Sequence, residues 1–552
     1  MTRSVRIGNF SGFYGDRFDA LSEMLAGGEL DVLTGDYLAE LTMLILARDR
    51  MKNPELGYAK TFLRQLETTL GTALEQGVRI VTNAGGVNPA GLADAIGELA
   101  GRLGLSVRVG LVDGDDVRDR FENVLAAHAY LGAWGVADCL EAGADIVITG
   151  RVTDASLTVG PAAACFGWSR TDYDAIAGAM VAGHVIECGP QATGGNYALF
   201  TELSDLTRPG FPIAEISADG SSVITKHPGT GGAVTTGTVT AQLLYEIAGP
   251  RYAGPDATAR FDTIELAFDG PDRVRISGVR GEPPPPTYKV SLNSVDGFRN
   301  EMQFVLTGPD IEAKADLVQR QLNRPDATWT LRRTDTVDAD TEAAASAVLS
   351  CVVRGDDANR IGREFSDAAV QLALSSYPGF HVTAPPGPAQ PSAVYRAGYL
   401  AQSEVEHRVT RPDGSVGIIS GPTETRALAE LPEPVVPPYR TGGSRVRLGD
   451  LIGARSGDKG GAANLGVWAR RPELFPWLVA ELTVDRFREL LPETRELRID
   501  RYVLPNLDAI NFVVHDLLGL GVAWNARFDP QAKALGEWLR ARWVEVPEEL
   551  LT

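Results

Sequence analysis

The stretch DIVITGRVTDAS, residues 145–156, contains the pattern that decides the fold class. A short β-branched run ends in a turn that mixes glycine with Arg, Asp and Ser. Such runs alternate with longer helical patterns through the first 160 residues. Alternating strands and helices are typical of a parallel sheet covered on both faces. We therefore predict an α/β fold whose main domain is a doubly wound, mostly parallel sheet.

The turns that follow the predicted strands form the first candidate site. Five strands are predicted, at 5–9, 30–33, 79–82, 106–111 and 146–149, and every turn after them combines glycine with polar residues. Parallel strands end at one edge of a sheet, where open α/β folds bind ligands. The alternative interpretation is that these turns have no binding role, because loops between strands and helices are commonly polar and glycine-rich. We expect Asp36, Asn83, Arg151, Asp154 and Ser156 to line one crevice.

Composition excludes several classes of protein. The chain has 552 residues, 44% of them apolar, with 52 Lys plus Arg against 72 Asp plus Glu, a net charge of −20. This balance disfavours a nucleic-acid partner. Four cysteines without a CxxC pair indicate neither a disulfide framework nor a zinc site. No apolar run is long enough to cross a membrane, and no signal core precedes the first strand, so we expect a cytoplasmic protein.

Two domains are predicted along the chain. The main domain covers 1–443 and is divisible near 220–300, where the pattern becomes shorter and strand-like. Proline and glycine from about 384 to 443 indicate an irregular connector. The last 109 residues, 444–552, give a glycine-rich strand pair, a helix, two strands and a closing helix. This order predicts a small ferredoxin-like α+β domain.

The turn GRVTDAS offers an arginine and an acid side by side. Arg151 can grip a carboxylate or a phosphate with its forked guanidinium. Asp154 can act as a general base, or it can hold the arginine. The alternative is a pair of residues that only braces the turn.

The segment HVIECG holds a histidine, a carboxylate and a thiol within five positions, and the polar Gln191 and Asn196 follow it. His184 and Glu187 suit acid/base chemistry, such as the addition or removal of water. Cys188 could instead be a nucleophile with His184 as its base. Against both, a buried cysteine or histidine is often only a core residue.

The segment ARSGDKGGAAN forms a third candidate site. It carries two cations in a glycine-rich stretch, which predicts a curled loop whose N–H groups bind an anion. Either a coenzyme A phosphate or a substrate carboxylate would fit such a loop. The alternative is a loop that docks the small domain on the large one. Its candidate residues are Arg455, Ser456, Asp458, Lys459 and Asn464.

No metal or tightly bound cofactor is predicted. The histidines lack an HExxH spacing, and neither TNAGGVNP nor PGTGGAV fits a dinucleotide fingerprint. Magnesium coordination by Asp113, Asp115 and Asp116 is conceivable, but we interpret these residues as solvated loop acids. The coenzyme A moiety of a substrate is the one cofactor-like group we expect.

Six motifs resemble the acyclic terpene utilisation protein AtuA family. They are SGFYGDR (11–17), GDYLAELTM (35–43), TNAGGVNP (82–89), ITGRVTDASL (148–157), HVIECGPQATGGN (184–196) and ARSGDKGGAANLGV (454–467). The resemblance covers nearly the whole chain, and its last segment is similar to the ferredoxin-fold domain appended in that family. It implies a catabolic protein associated with the breakdown of branched, terpenoid-type acids as coenzyme A thioesters. It transfers no catalytic roles.

Residues and resemblance together predict an enzyme of lyase or hydratase type acting on a branched acyl-CoA or a related acid. Asp154 or Glu187 would be the base, His184 the acid, and Arg151 or Lys459 would hold an anionic group. One alternative is thioester hydrolysis by Cys188, and another is a noncatalytic subunit that binds partners in acyl-CoA degradation. A homo-oligomer is expected because closed symmetric assemblies are common among soluble proteins.

Overall fold

A computed structural model describes residues 3–551, apart from the side chain of Glu40. The chain forms two compact units. The first unit contains the residues up to 293, 395–522 and those from 531 onward. The second unit contains 294–394 and 523–530. All the candidate site residues belong to the first unit.

The helices and strands of the described residues are numbered in chain order. Helices α1 to α13 span Ala20–Ala26, Glu40–Lys52, Lys60–Gln76, Pro89–Leu103, Trp134–Glu141, Ser156–Phe166, Tyr173–Ile186, Thr236–Leu243, Ile311–Leu322, Phe365–Gln371, Phe475–Glu481, Val484–Leu490 and Leu535–Arg540. Strands β1 to β26 span Ser4–Ser11, Val32–Gly35, Arg79–Thr82, Val109–Asp113, Ala126–Ala129, Ile146–Thr149, Pro212–Ser217, Ser222–Lys226, Arg251–Ala253, Thr258–Arg260, Glu265–Gly270, Arg273–Ser277, Arg280–Glu282, Thr287–Thr307, Thr328–Arg332, Ser346–Gly355, His381–Val382, Gln390–Ala401, Arg408–Thr410, Val416–Ile418, Ser444–Arg447, Ile452–Lys459, Ala462–Ala469, Ile499–Leu504, Ala509–Val514 and Trp543–Val546.

An 11-stranded sheet forms the centre of the first unit, in the order β11-β12-β8-β7-β1-β2-β3-β6-β4-β19-β20. Strands β1, β2, β3, β6 and β4 run parallel to their neighbours in this group. The strands on both sides of the group are antiparallel, beginning with β7 against β1 and β19 against β4. The prediction of a mostly parallel, doubly wound main domain is therefore not confirmed, because the sheet is mixed and the other sheets are antiparallel.

Apolar side chains of the parallel strands alternate between two cores. Ile80 and Ile148 pack with α1, α3 and α4 on one face, whereas Val81 and Val147 pack with α5, α6 and α7 on the other. Successive strand residues point to opposite faces, so a strand that is apolar at every position must be covered on both sides. The near-continuous apolar runs in the sequence have this physical origin.

Helix α4 shows how local sequence sets an element's ends. Asn88 precedes it and accepts a hydrogen bond from the Gly91 N–H, with Pro89 in the first turn. Gly104 ends it with φ 67°, a left-handed conformation that glycine adopts without a steric cost. The order Asn-Pro at the start and Gly at the end is the expected asymmetry of helix caps.

The proline- and glycine-rich stretch near 384–443 is only in part the irregular connector that we predicted, since residues 419–443 form no helix or strand. It supplies β18, β19 and β20, and the last two extend the central sheet from β4. Pro391 and Gly398 lie within β18 and Gly417 lies within β20, so proline and glycine did not exclude strands from this stretch.

The C-terminal residues form a four-stranded antiparallel sheet, here called the C-terminal sheet, in the order β22-β23-β25-β24. Helices α11, α12 and α13 pack on it around a core that includes Trp477, Phe487 and Phe512. Strands β21 and β26 form a separate antiparallel pair. In the second unit, β15 pairs with β16, which pairs with the later part of β14.

Among residues 3–551, helices long and apolar enough to cross a bilayer are absent.

Candidate functional site

The turns after β2 and β3 are joined by buried side chains. Asn83 donates from Nδ2 to Asp36 Oδ1 at 2.6 Å, and its Oδ1 accepts the Tyr37 N–H at 2.8 Å. Asp36 Oδ1 also accepts the Leu38 N–H at 3.0 Å. The structure thus brings Asp36 and Asn83 together at the carboxyl edge of the parallel strands.

Arg151 in the turn after β6 reaches the same edge. Its Nη1 donates to the Leu38 carbonyl at 2.7 Å, and its Nη2 lies 2.9 Å from Asp154 Oδ1. Its guanidinium carbon lies 4.2 Å from the centre of the Tyr130 ring. The Arg151 side chain is 5% exposed and that of Asp154 is 30% exposed. Asp154 is therefore the member of the pair that solvent or a ligand reaches more easily.

Asp115 holds the backbone of the turn that carries Arg151. Its Oδ2 accepts the Arg151 N–H at 2.8 Å and lies 2.8 Å from His128 Nδ1. A Cβ at position 150 would lie 2.3 Å from Asp115 Oδ1, so glycine there permits the close approach. The interpretation of Asp115 as a solvated loop acid is wrong, because its side chain is 5% exposed.

The other two acids of that turn do not join a metal site. Asp113 pairs with Arg408 at 2.7 Å, and Asp116 is exposed. The described residues contain no group of three or more His, Cys, Asp or Glu side chains able to hold a metal ion.

Helix α7 brings the acid/base candidates to the cluster. Its small residues allow close packing on the turn before α6, where a Cβ at Gly183 would lie 2.9 Å from the Ala155 Cα. His184 lies in its last turn and is 2% exposed. Its Nδ1 lies 3.1 Å from Oε1 of Glu187, the residue that caps the helix. The other carboxyl oxygen of Glu187 is buried and has no hydrogen-bond partner in the described part of the chain.

Burial changes the protonation of these groups. Desolvation, together with the charges of Asp154 and Glu246, raises the pKa of Glu187 well above its ordinary value. Desolvation and the charge of Asp154 likewise raise the pKa of Asp36. Burial lowers the pKa of His184 to about 4. Burial therefore favours the protonated form of the Glu187 carboxyl group and the neutral form of the His184 imidazole.

Cys188 does not continue the helix that carries His184. Helix α7 ends at Ile186, so Cys188 lies beyond the end of that helix. Burial, followed by the charges of Glu187, Glu246 and Asp36, raises the pKa of Cys188 well above its ordinary value. A thiol in this environment is a poor nucleophile because only the thiolate attacks.

The glycine-rich segment ARSGDKGG is a strand and a tight turn, which confirms the predicted strand pair and not the predicted curled loop. Residues Ile452–Lys459 form β22 and pair in register with Ala462–Ala469. Successive N–H groups of an extended strand point in opposite directions, whereas an anion nest needs them to converge. The side chains of this hairpin, and not its backbone, reach the candidate site.

Arg455 on β22 contacts two other predicted site residues, Gln191 and Asn196. It donates to the Gln191 side chain and, at 3.2 Å, to the Asn196 carbonyl. Its guanidinium carbon lies 4.2 Å from the centre of the Tyr245 ring. Lys459 at the end of the strand donates to the Glu246 carbonyl at 2.8 Å, and its charge acts on both His184 and Glu187.

The remaining predicted residues have structural contacts. Ser156 Oγ lies 2.5 Å from Thr153 Oγ1. Ser456 accepts the Gly536 N–H at 2.9 Å. Asp458 lies 3.2 Å from Lys533 Nζ, and Asn464 is buried inside the C-terminal sheet. These residues hold the surrounding elements in place.

Sequence reasoning missed several residues of the cluster. Glu246 carries a charge that acts on His184, Glu187 and Cys188, but it lies in YEIAG, which matches no motif. Lys289 lies 4.7 Å from the centre of the Tyr130 ring. The rarity of lysine was a signal that could have indicated some of these residues, because the chain has only seven lysines. Three of them, Lys289, Lys459 and Lys533, have contacts or charges that act on residues of this region.

Comparison with known proteins gives a family for the chain. The family model described as acyclic terpene utilisation family protein AtuA matches residues 5–411. The model described as AtuA ferredoxin-like domain matches residues 446–545. No curated protein matches the chain. The resemblance seen in the six motifs is thus confirmed along most of the sequence, and its catabolic implication is consistent with the family's description. The chain belongs to the acyclic terpene utilisation AtuA family.

Proposed function

We propose that this protein is a catabolic enzyme of lyase or hydratase type that acts on a branched or terpenoid-type acyl-CoA, or on a related acid. The observation that carries the proposal is the carboxyl group of Glu187. It is buried, its pKa is raised, and its Oε2 has no hydrogen-bond partner among the described residues. A protonated acid with an unused oxygen suits the donation of a proton to a bound substrate.

The Arg151–Asp154 pair supplies the general base. Asp154 is the more exposed member of the Arg151–Asp154 pair, so its carboxylate can accept a proton. Arg151 holds that carboxylate in place, and it offers a buried positive charge to a thioester oxygen or a substrate carboxylate.

The proposed step on a 3-hydroxyacyl thioester is the loss of water. Asp154 accepts the proton of the α-carbon, and the electrons of that C–H bond form the double bond between the α- and β-carbons. The C–O bond at the β-carbon breaks, and its electron pair takes the proton of Glu187, so that water leaves. The reverse sequence hydrates an unsaturated thioester.

His184 has a different role from the one predicted from the sequence. With a pKa lowered to about 4 it is neutral near pH 7, so it carries no imidazolium proton to donate. Its Nδ1 contact with Glu187 instead orients the carboxyl group. We therefore assign the acid to Glu187 and the orientation of that acid to His184.

The test is incubation of the pure protein with a panel of unsaturated and hydroxylated acyl-CoAs, followed by mass spectrometry for a change of 18 Da, the mass of water. We expect turnover in the wild type and its loss in Glu187→Gln. The matched control is Glu202→Gln, which removes a half-exposed glutamate that pairs with Arg470 outside the cluster. Release of free coenzyme A thiol without a change in the acyl chain would support thioester hydrolysis and overturn the proposal.

A further inference from the structure

Glu246 has an unusual backbone conformation for a glutamate. It follows the end of α8 and has φ 57°, in the left-handed region that residues with a side chain rarely adopt. Such a conformation persists only where the surrounding structure holds it, and it is found most often at functional sites.

The C-terminal sheet supplies the contacts that hold this backbone. The Glu246 N–H donates to Asn464 Oδ1 at 2.7 Å, and the Glu246 carbonyl accepts from Lys459 Nζ at 2.8 Å. Asn464 on β23 is fully buried, and its amide donates to Asn511 on β25. Asn511 in turn donates to the Ala248 carbonyl at 2.8 Å. Two buried asparagines and a lysine thus fix the segment after α8.

The side chain of Glu246 lies between solvent and the buried cluster. It is 39% exposed, against 11% for Glu187, and its Oε1 lies 3.5 Å from Lys533 Nζ. Its negative charge acts on His184, which is buried, and on Glu187, Cys188 and Tyr252, which are partly buried. A carboxylate near water and a lysine can stay ionised where a fully buried carboxylate cannot.

We propose that Glu246 is the ionised partner of the protonated Glu187, and that Asn464 is the positioning residue that holds Glu246 in that place. The proposal rests on the function proposed above, since it concerns the acid of the same reaction. It gives the C-terminal sheet a part in the chemistry beyond docking, because strand residues of this sheet determine where a negative charge of the site lies.

The charged groups that act on Glu187 determine in which direction the pH profile of activity should shift. Asp154 and Glu246 favour its protonated form, whereas Arg151 and Lys459 favour its ionised form. An acid must be protonated to work, so activity falls as pH rises through the pKa of Glu187. Removing the charge of Glu246 lowers that pKa and moves the fall to lower pH.

The experiment measures kcat/KM against pH for the wild type and four variants. We expect Glu246→Gln to move the alkaline fall down by roughly one pH unit. Glu246→Gly should move it equally while folding at least as well, because glycine adopts a positive φ freely. Asn464→Ala should move it in the same direction, and the control Glu202→Gln should not move it.

A second measurement does not depend on turnover. Glu246 raises the pKa of Cys188, so Glu246→Gln should make Cys188 react faster with iodoacetamide, relative to Cys165 in the same sample, as measured on peptides by mass spectrometry. If Glu187→Gln is inactive while both Glu246 variants keep the wild-type pH profile, the inference is wrong and the proposed function stands. If the wild type turns over no substrate, the proposed function fails. An unchanged rate at Cys188 would then overturn the inference independently.

Discussion

Two buried pairs of histidine and carboxylate lie in the first unit, and they differ in how completely their atoms are hydrogen-bonded. Asp115 Oδ2 is 2.8 Å from His128 Nδ1 and also accepts the Arg151 N–H at 2.8 Å. Glu187 has one contact with His184, at 3.1 Å, and its second oxygen has no partner within the described residues. Complete hydrogen bonding is typical of a structural pair, and an unused buried oxygen indicates a site that awaits a ligand.

The expected effect of substituting each carboxyl group follows from the same difference. Burying a carboxyl group without enough donors favours its protonated form, and this holds for Glu187. Burying a carboxylate with several donors offsets the cost of desolvation. The comparison therefore predicts that variants of Glu187 affect activity, whereas variants of Asp115 affect stability.

The largest effect is expected from Glu187→Gln. Loss of the proposed acid should lower turnover by about 10²- to 10⁴-fold. The midpoint of denaturant unfolding should not fall, because the amide is similar in shape and removes a buried ionisable group. Steady-state kinetics and urea unfolding on the same preparation check both parts. A stable variant with wild-type turnover would show that Glu187 is not the catalytic acid.

Asp115→Ala should have the next largest effect, on stability. It leaves the His128 ring nitrogen and the Arg151 N–H without their acceptor in a buried place, at a cost of about 3 kcal/mol. Urea unfolding measures this loss, with Asp113→Ala as the control, since Asp113 is a half-buried neighbour that pairs only with Arg408 among the contacts seen for it. Equal midpoints for the two variants would show that Asp115 is not structural.

A smaller effect is expected on the pH dependence of the free energy of unfolding, to which His184 contributes. Its pKa is lowered to about 4 in the folded protein, so the unfolded chain binds the extra proton as pH falls below about 6.5. The stability due to neutral His184 is present above that pH and decreases as pH falls towards 4. Between pH 7 and pH 5 the loss is about 2 kcal/mol. Unfolding of His184→Gln should show a shallower pH dependence by that amount, and an identical slope would contradict the pKa direction.

The smallest effect is expected from a third pair, at the surface. His515 Nε2 lies 2.7 Å from Asp500 Oδ2, but the two side chains are 32% and 25% exposed. Water solvates both partners, so Asp500→Asn should cost less than about 1 kcal/mol. This variant separates the effect of burial from that of the contact itself. A loss as large as that of Asp115→Ala would mean that burial is not what distinguishes the pairs.

The candidate site was predictable from the sequence only in part. Asp36, Asn83, Arg151 and Asp154 could be placed together, because parallel strands end at a common edge and each of these residues follows such a strand. The role of His184 was not predictable, since its neutral form depends on burial. Glu246 could not be found at all, because its backbone conformation and its place depend on contacts from β22 and β23.

The sequence by itself determined the family, the class of mixed helix and strand, and the positions of the five strands that became the parallel group. Local patterns decide these features, because apolar runs, helix caps and glycine turns act within a few residues. The tertiary structure decided the antiparallel flanks of the sheet and the direction in which the pKa values of the buried acids shift. These depend on pairing between distant strands and on exclusion of water, and neither is specified by any short stretch of sequence.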